Sequence, residues 1–239
     1  MYEDKYKNLH LTKSEDLNGF LNLIADLNEP LELFAIGGTA MVLKNIKEST
    51  KDIDFLTTEG YEKIKKTMGH PHLKVGVCKA PCFLDDPKSE TVRLRPHSKE
   101  CGFRFMDIKK LFSLAGLKEE SSDKICNIWR LGKTRIDIFY GGFIMGISFP
   151  ADWKRLSQKI KEIGKIKLYI LNWYDLIITK ISRSETRDID DIIAIIHHEG
   201  LDINLLKKRY YSIAETALIT DYDYKFKHLE REYAKRKTD

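Results

Sequence analysis

Cysteine is scarce in this chain of 239 residues. Its four cysteines are Cys78, Cys82, Cys101 and Cys126. They are too few for a disulfide scaffold in a chain of this length. Cys78 and Cys82 lack the two-residue gap of a zinc knuckle, and no second pair follows, although histidines lie nearby and keep a zinc site open as an alternative. We therefore expect partly buried thiols.

Long apolar runs are also missing. No stretch approaches the ~20 apolar residues that a membrane helix needs. The first residues, MYEDKYKNLH, are charged and polar, unlike a secretory signal. With 42% hydrophobic and 32% charged residues, the composition is that of a globular protein with a hydrophobic core. We expect a cytoplasmic protein that does not enter a membrane.

The common phosphate-binding motifs are absent, since neither G-x-G-x-x-G nor G-x-x-x-x-G-K-[ST] occurs. Instead, Gly37 and Gly38 follow the apolar run LELFAI, which predicts a buried strand. Their backbone amides can approach a phosphate group without obstruction by a side chain. Thr39 can add a hydroxyl donor or cap the following helix. The alternative is a tight strand-to-helix turn with no ligand.

Three aspartates lie on predicted strands between apolar residues. Asp52 and Asp54 alternate with Ile53, so that both carboxylates point to one side of the strand. Carboxylates so close together repel each other, and a hard divalent cation such as Mg²⁺ is the usual solution. Asp137, in the strand TRIDIFYG, would complete a cluster of three acids. The alternatives are exposed aspartates at a strand end and, for Asp137, an ion pair with Arg135 on the same face.

The pattern along the chain predicts an α/β (α+β) fold with a small mixed sheet. The first part contains a predicted helix and two strands, at residues 15–27, 31–38 and 51–58, and a second helix over 59–68. The middle is β-like, with the segments HLKVGV, TVRLR, CGFRFM, CNIWRL and TRIDIFYG. From about residue 152 the apolar spacing is helical. We predict a catalytic domain over 1–150 and a mainly helical domain over 151–239.

The combination of Gly-Gly-Thr, Asp-Ile-Asp and a later strand Asp resembles the signature of the DNA polymerase β-like nucleotidyltransferase superfamily. The resemblance implies that a metal ion, Mg²⁺ or Mn²⁺, is held by three catalytic carboxylates: Asp52, Asp54 and Asp137. It also implies that the nucleotide's phosphates contact the glycine turn: Gly37, Gly38 and Thr39.

A second stretch is similar to the abortive-infection and toxin-like branch of that superfamily. It consists of Lys180 on one predicted helix and Arg187-Asp188-Ile-Asp-Asp191 on the next. The resemblance implies that Lys180, Asp188 and Asp191 support nucleotide binding, and it makes a cognate antitoxin a candidate partner. The alternative is a ladder of surface ion pairs between two helices.

The expected reaction is transfer of a nucleoside monophosphate from an NTP, such as ATP, to a hydroxyl group. The acceptor classes are RNA such as tRNA, a protein side chain and a small molecule. Clustered lysines and arginines in residues 154–167 and 225–237 slightly favour RNA. The main alternative is a catalytically inactive nucleotide-binding or partner-binding module. A metal nuclease leaves the glycine turn unexplained, and a glycosyltransferase leaves Asp137 and Lys180 without roles.

Overall fold

The computed structural model describes residues 11–25, 30–60, 64, 117–122, 125–144, 146–217 and 219–237. The first three predicted strands of the middle region lie outside the described residues, as does nearly all of the helix predicted over 59–68. Cys78, Cys82 and Cys101 lie there as well, so the zinc alternative is not addressed. Cys126 is half-buried at the start of a strand.

Strands and helices both contribute to the described structure. The strands are β1 (Thr12–Lys13), β2 (Leu31–Ala35), β3 (Ser49–Thr50), β4 (Ile53–Thr57), β5 (Leu117–Ser122), β6 (Cys126–Leu131), β7 (Thr134–Tyr140), β8 (Phe143–Ile144), β9 (Ile147–Ser148), β10 (Gln158–Ile163) and β11 (Ile166–Ile170). The helices are α1 (Ser14–Ile24), α2 (Gly37–Leu43), α3 (Trp153–Leu156), α4 (Trp173–Arg183), α5 (Thr186–Glu199), α6 (Ile203–Ala214) and α7 (Tyr222–Lys237).

One seven-stranded mixed sheet organises the molecule, with the strand order β10-β11-β2-β4-β7-β6-β5. β4 lies near its centre, antiparallel to β2 and parallel to β7. The apolar side chains of this strand belong to the core, since Ile53, Phe55 and Leu56 have no exposed surface. Helix α2 packs against β4. The predicted α/β (α+β) fold with a mixed sheet is confirmed.

The segment after residue 152 differs from the helical pattern that we expected there. Residues 158–170 form the hairpin β10–β11, and β11 pairs in parallel with β2. The alternating burial of β11 is typical of a strand. The turn requires Gly164, which has a φ of 56° and whose Cβ would lie 2.3 Å from the carbonyl oxygen of Ala25. The consecutive long helices begin only at Trp173, and the predicted domain boundary at 150/151 stays a prediction.

Helices α4 and α5 meet at a sharp corner. Asn172 caps the start of α4, where its side chain accepts a hydrogen bond from the Tyr174 amide at 3.1 Å. Ser184, with a left-handed φ of 56°, ends that helix, and α5 begins two residues later. Lys180 and Arg187 therefore lie on two consecutive helices, as the sequence pattern predicted.

The remaining helices surround α4, which packs against α5, α6 and α7. The helical spacing that we predicted late in the chain is confirmed by α4, α5 and α6, the last of which ends at Ala214. Within the part of the chain that the structure describes, no helix combines the length and the apolar character that crossing a bilayer requires.

Candidate functional site

The three predicted acids come together at the centre of the sheet. Asp54 of β4 lies directly opposite Asp137 of β7 in the parallel register. Paired residues on neighbouring strands point to the same face, so both carboxylates share one side of the sheet. Asp52 directly precedes β4, two residues before Asp54, and interacts electrostatically with Asp137.

The acids of this cluster repel one another. Burial, together with the carboxylates of Asp137 and Asp52, raises the pKa of Asp54 to about 7. Burial and the Asp137 carboxylate also raise the pKa of Asp52. Oxygen-only side chains that repel each other in this way have the donor chemistry that a hard divalent cation prefers.

Arg135 is the immediate partner of Asp137. Its Nε donates to Oδ1 and its Nη2 donates to Oδ2, both at 2.8 Å. The ion pair that the sequence offered as an alternative is therefore present. Among the described residues, no three His, Cys, Asp or Glu side chains are arranged as a set of metal ligands. Metal binding by Asp52, Asp54 and Asp137 stays a prediction.

The glycine turn lies directly beside this cluster. Gly37 has a φ of 54°, and a Cβ at this position would lie 3.2 Å from Oδ2 of Asp54. A Cβ at Gly38 would lie 2.1 Å from Oγ1 of Thr50. Gly37 therefore needs glycine for its left-handed backbone and Gly38 for packing, which gives the alternative of a tight turn direct support. The phosphate contact stays a prediction, now for a turn that adjoins Asp54.

Thr39 ties the turn to the strand that carries the acids. Its buried hydroxyl accepts a hydrogen bond from the Asp54 amide at 2.8 Å and donates to the Asp52 carbonyl at 3.3 Å. Because the single hydrogen of its hydroxyl group is directed at that carbonyl, Thr39 acts here as a positioning residue. Its contact with phosphate stays a prediction.

Lys180 is buried in an ion-pair network between α4 and α5. Its Nζ lies 2.6 Å from Asp191 Oδ2 and 3.2 Å from Asp188 Oδ1, and only 4% of its side chain is exposed. The structure thus contains the predicted ion pairs between two helices, but in the interior of the protein. The role of Lys180, Asp188 and Asp191 in nucleotide binding stays a prediction.

This network extends to the acid cluster. Arg183 donates from Nε to Asp188 Oδ2 at 2.9 Å. Although burial acts to raise the pKa of Asp188, hydrogen bonds and charges from Arg183 and Lys180 lower it overall. Both cations also act to lower the pKa of Asp54. Lys47, in the loop after α2, joins the network through an ion pair with Asp191.

Four cations, which we call the cationic rim, act electrostatically on the acids, and the sequence pointed to only two of them, Arg135 and Arg187. The members of the rim are Lys51, Arg135, Arg183 and Arg187, from four different elements or turns. Burial and the charge of Arg187 lower the pKa of Lys51. Arg187 lies 2.9 Å from Glu185, which also pairs with Arg183. The available sequence signal for Lys51 was its position beside Asp52, whereas the contribution of Arg183 and Arg187 depends on the corner between α4 and α5.

The basic segment 154–167 is largely engaged with neighbouring side chains. Lys159 donates to Glu162 at 2.6 Å and Lys161 donates to Asn18 at 2.8 Å. Lys154 pairs with Glu32 at 2.5 Å. The local positive charge is therefore smaller than the sequence composition indicates, and RNA binding by this segment stays a prediction.

A cavity of about 530 Å³ lies between the α4–α5 corner and α7. Lys180 and Asp188 contribute to its wall, together with Ile189 and Leu229. His228 and Glu232 of α7 add polar groups. The buried ion-pair network therefore borders this cavity. The cations of that network, Lys180 and Arg183, also act electrostatically on Asp54.

One comparison with known proteins bears on this site. Residues 145–239 match the model of a family described as "Nucleotidyltransferase of unknown function (DUF6036)". The match contains the α4–α5 network, whereas the three acids precede it. No protein with a curated description matches the chain. Over residues 145–239 the chain is therefore similar to a family described as a nucleotidyltransferase.

Proposed function

We propose that the protein is a cytoplasmic, metal-dependent nucleotidyltransferase that moves a nucleoside monophosphate from an NTP, such as ATP, to a hydroxyl acceptor, with release of pyrophosphate. The observation that carries this proposal is that Asp54 and Asp137 lie opposite each other on neighbouring strands, beside the glycine turn. The similarity of residues 145–239 to a nucleotidyltransferase family supports it independently.

In this proposal the ligands of Mg²⁺ or Mn²⁺ are Asp52, Asp54 and Asp137. The bound ion would neutralise phosphate charge and lower the pKa of the attacking hydroxyl. Thr39 would hold Asp52 and Asp54 in place through its two hydrogen bonds to their backbone. The absence of side chains at Gly37 and Gly38 would let the turn approach the phosphates.

The cationic rim would face the triphosphate. Arg183 and Arg187 are 30% and 45% exposed in their side chains, so both can reach an anionic ligand. Arginine suits this role because its planar group can donate two parallel hydrogen bonds to phosphate. Lys180 would contribute through Asp188 and Asp191, which orient Arg183 and join α5 to Lys47.

The acceptor that we favour is RNA such as tRNA, with a protein hydroxyl as the other macromolecular class. A toxin-like role with a cognate antitoxin belongs to the same proposal. The alternative of an inactive nucleotide-binding or partner-binding module also has an observation in its favour, because Arg135 already holds both oxygens of Asp137.

Labelling with each α-³²P NTP, in Mg²⁺ or Mn²⁺, with total tRNA or cell lysate as acceptor, tests the proposal. We expect label on a macromolecule with the wild type and none with Asp54→Asn. Asp190→Asn is a matched control, because Asp190 is an α5 carboxylate with a 66% exposed side chain. It should label normally, and the melting temperature of each variant separates lost activity from lost folding. Metal-dependent NTP binding without any labelled product would support the inactive module instead.

A further inference from the structure

Arg135 and Asp137 form a self-contained pair within the acid cluster. They are two residues apart on β7, and the guanidinium engages both carboxylate oxygens at 2.8 Å. Their exposures differ: 41% of the Arg135 side chain is accessible, against 12% of the Asp137 side chain. The carboxylate is thus fixed in the site, whereas the guanidinium can leave towards solvent.

The surrounding charges explain why a cation lies at this position. Asp52 and Asp54 both act on Arg135 electrostatically, in addition to its hydrogen-bonded partner Asp137. Burying an unpaired carboxylate is costly, and three neighbouring carboxylates increase that cost. Arg135 supplies one positive charge to the cluster, which would otherwise be more strongly anionic.

A neighbouring arginine provides a contrast on the same sheet. Arg130 of β6 lies directly opposite Arg135 in the strand register. It pairs with Glu120 through Nη2–Oε2 at 3.0 Å and makes no described hydrogen bond to an aspartate of the cluster. Two arginines at the same level of the sheet thus have different partners. A place at this level of the sheet is therefore not enough to explain why Arg135 contacts Asp137.

We propose that Arg135 is the resident counter-ion of the acid cluster, and that a divalent cation binding to Asp137 displaces its guanidinium. The inference rests on the proposed metal-dependent function. A guanidinium and a divalent ion on the same carboxylate repel each other, so the two compete for Asp137. Asp137 then has a positive partner in both states: Arg135 before the metal binds and the metal afterwards.

Mn²⁺ binding provides a readout that is independent of catalysis. The experiment measures free Mn²⁺ by electron paramagnetic resonance, and binding heat by calorimetry, on the full chain with and without a non-hydrolysable NTP. We expect Arg135→Gln to bind Mn²⁺ about tenfold more tightly than the wild type, because the competitor is gone. Arg135→Lys keeps the charge without the fork-shaped pair of donors, and its affinity should lie between the two.

Two control variants locate the effect. Arg130→Gln removes an equal charge from the adjacent strand and should change Mn²⁺ affinity less than about twofold, since the Arg130 guanidinium is hydrogen-bonded to Glu120 and not to an acid of the cluster. Asp137→Asn should lose the tight site. Thermal melting adds a second measurement: metal-free Arg135→Gln should melt below the wild type, and Mn²⁺ should raise its melting temperature more than that of the wild type.

Several outcomes would overturn the inference. Unchanged or weaker Mn²⁺ binding by a folded Arg135→Gln variant would show that Arg135 does not compete with the ion. Equal tightening by Arg130→Gln and Arg135→Gln would assign the effect to general charge. If the wild type binds Mn²⁺ with NTP and only the Arg135 result fails, the proposed function stands. If neither the wild type nor any variant binds Mn²⁺, with or without NTP, both proposals fall.

Discussion

The acid cluster on β4 and β7 and the ion-pair network between α4 and α5 contain the same type of residue in opposite electrostatic states. In the sheet, burial and like charges raise the pKa of Asp54 and of Asp52. Between the helices, Asp188 is buried as well, yet contacts with Arg183 and Lys180 lower its pKa. Charges that balance each other hold a structure together, whereas a cluster with excess charge of one sign is suited to an external partner.

Removing Lys180 should give the largest effect, because it breaks the balanced network. Lys180→Met leaves Asp188 and Asp191 buried without that cation, which should reduce the free energy of unfolding by ~3–5 kcal/mol. The helix pattern alone predicts that this substitution changes NTP kinetics with little change in folding. Because Lys180 is buried, we expect the substitution to change both the NTP kinetics and the folding stability. Urea denaturation measures the loss.

Lys207→Met serves as the control for Lys180. Lys207 also pairs with an acid on another helix, at 2.8 Å from Glu230, but 46% of its side chain is exposed. We expect its loss to cost less than about 1 kcal/mol. Equal effects of the two substitutions would contradict the contrast between a buried network and surface pairs.

Gly38→Ala should have the next largest effect, on the turn beside the acid cluster. The added Cβ would lie 2.8 Å from Cβ of Thr50 as well as against its hydroxyl, so the backbone must shift. We expect a loss of ~1–3 kcal/mol in folding stability, measured by denaturation. Thr50→Gly in the same chain should recover part of it. Gly19→Ala in α1 meets nothing within 4 Å and should be neutral or stabilising.

The pH dependence of stability should have opposite signs in the two regions. The folded-state pKa of Asp54 is raised to about 7, so its contribution favours folding at low pH and is lost as pH rises from about 4 through 7. The pKa of Asp188 is lowered, so its contribution is present above its unfolded-state pKa and is lost as pH falls.

Denaturation of the metal-free protein at pH 6 and pH 8 tests this difference. At pH 8 we expect Asp54→Asn to be more stable than the wild type by about 1 kcal/mol. This is less than the free energy that the full pKa shift of Asp54 corresponds to, because Asp54 is half-buried and solvent screens its charge. Asp188→Asn should be less stable than the wild type at both pH values, and the gap should narrow at about pH 3, where the Asp188 contribution is being lost. If Asp54→Asn destabilised the protein at pH 8, excess negative charge at the acid cluster would be ruled out.

Charge reversal on the β10–β11 hairpin should have the smallest effect. Lys159→Glu with Lys161→Glu should lower labelling of an RNA acceptor a few-fold at low salt, and the difference should fade as salt increases. NTP affinity should not change. Lys207→Glu with Lys208→Glu on α6 is the matched double reversal, because both lysines are exposed and lie outside the two basic segments. If it lowers labelling equally, the hairpin has no specific contact with RNA.

The sequence predicted the central part of the site because its signals are local. Alternation on β4 and β7 placed Asp54 and Asp137 on one face, and an apolar run followed by Gly37 identified the turn. The hairpin β10–β11 was missed because its lysines and isoleucines also fit a helical spacing. Its pairing with β2, from a distant part of the chain, favours the extended form.

Ion-pair partners were harder to predict than backbone structure. Lys180, Asp188 and Asp191 were identified as a group, but their mutual contact depends on the left-handed Ser184, which turns α5 back against α4. The link from Asp191 to Lys47 joins residues from distant parts of the chain, and no local pattern indicates it.

The pairing of β11 with β2 limits where this protein can be truncated. A fragment ending at residue 150 would lack β10 and β11, and the apolar strand Leu31–Ala35 would become an open edge of the sheet. Unpaired edges of that kind recruit other chains and aggregate. A fragment ending after Ile170 keeps this edge covered, so the shortest fragment that protects the sheet extends far beyond Asp137.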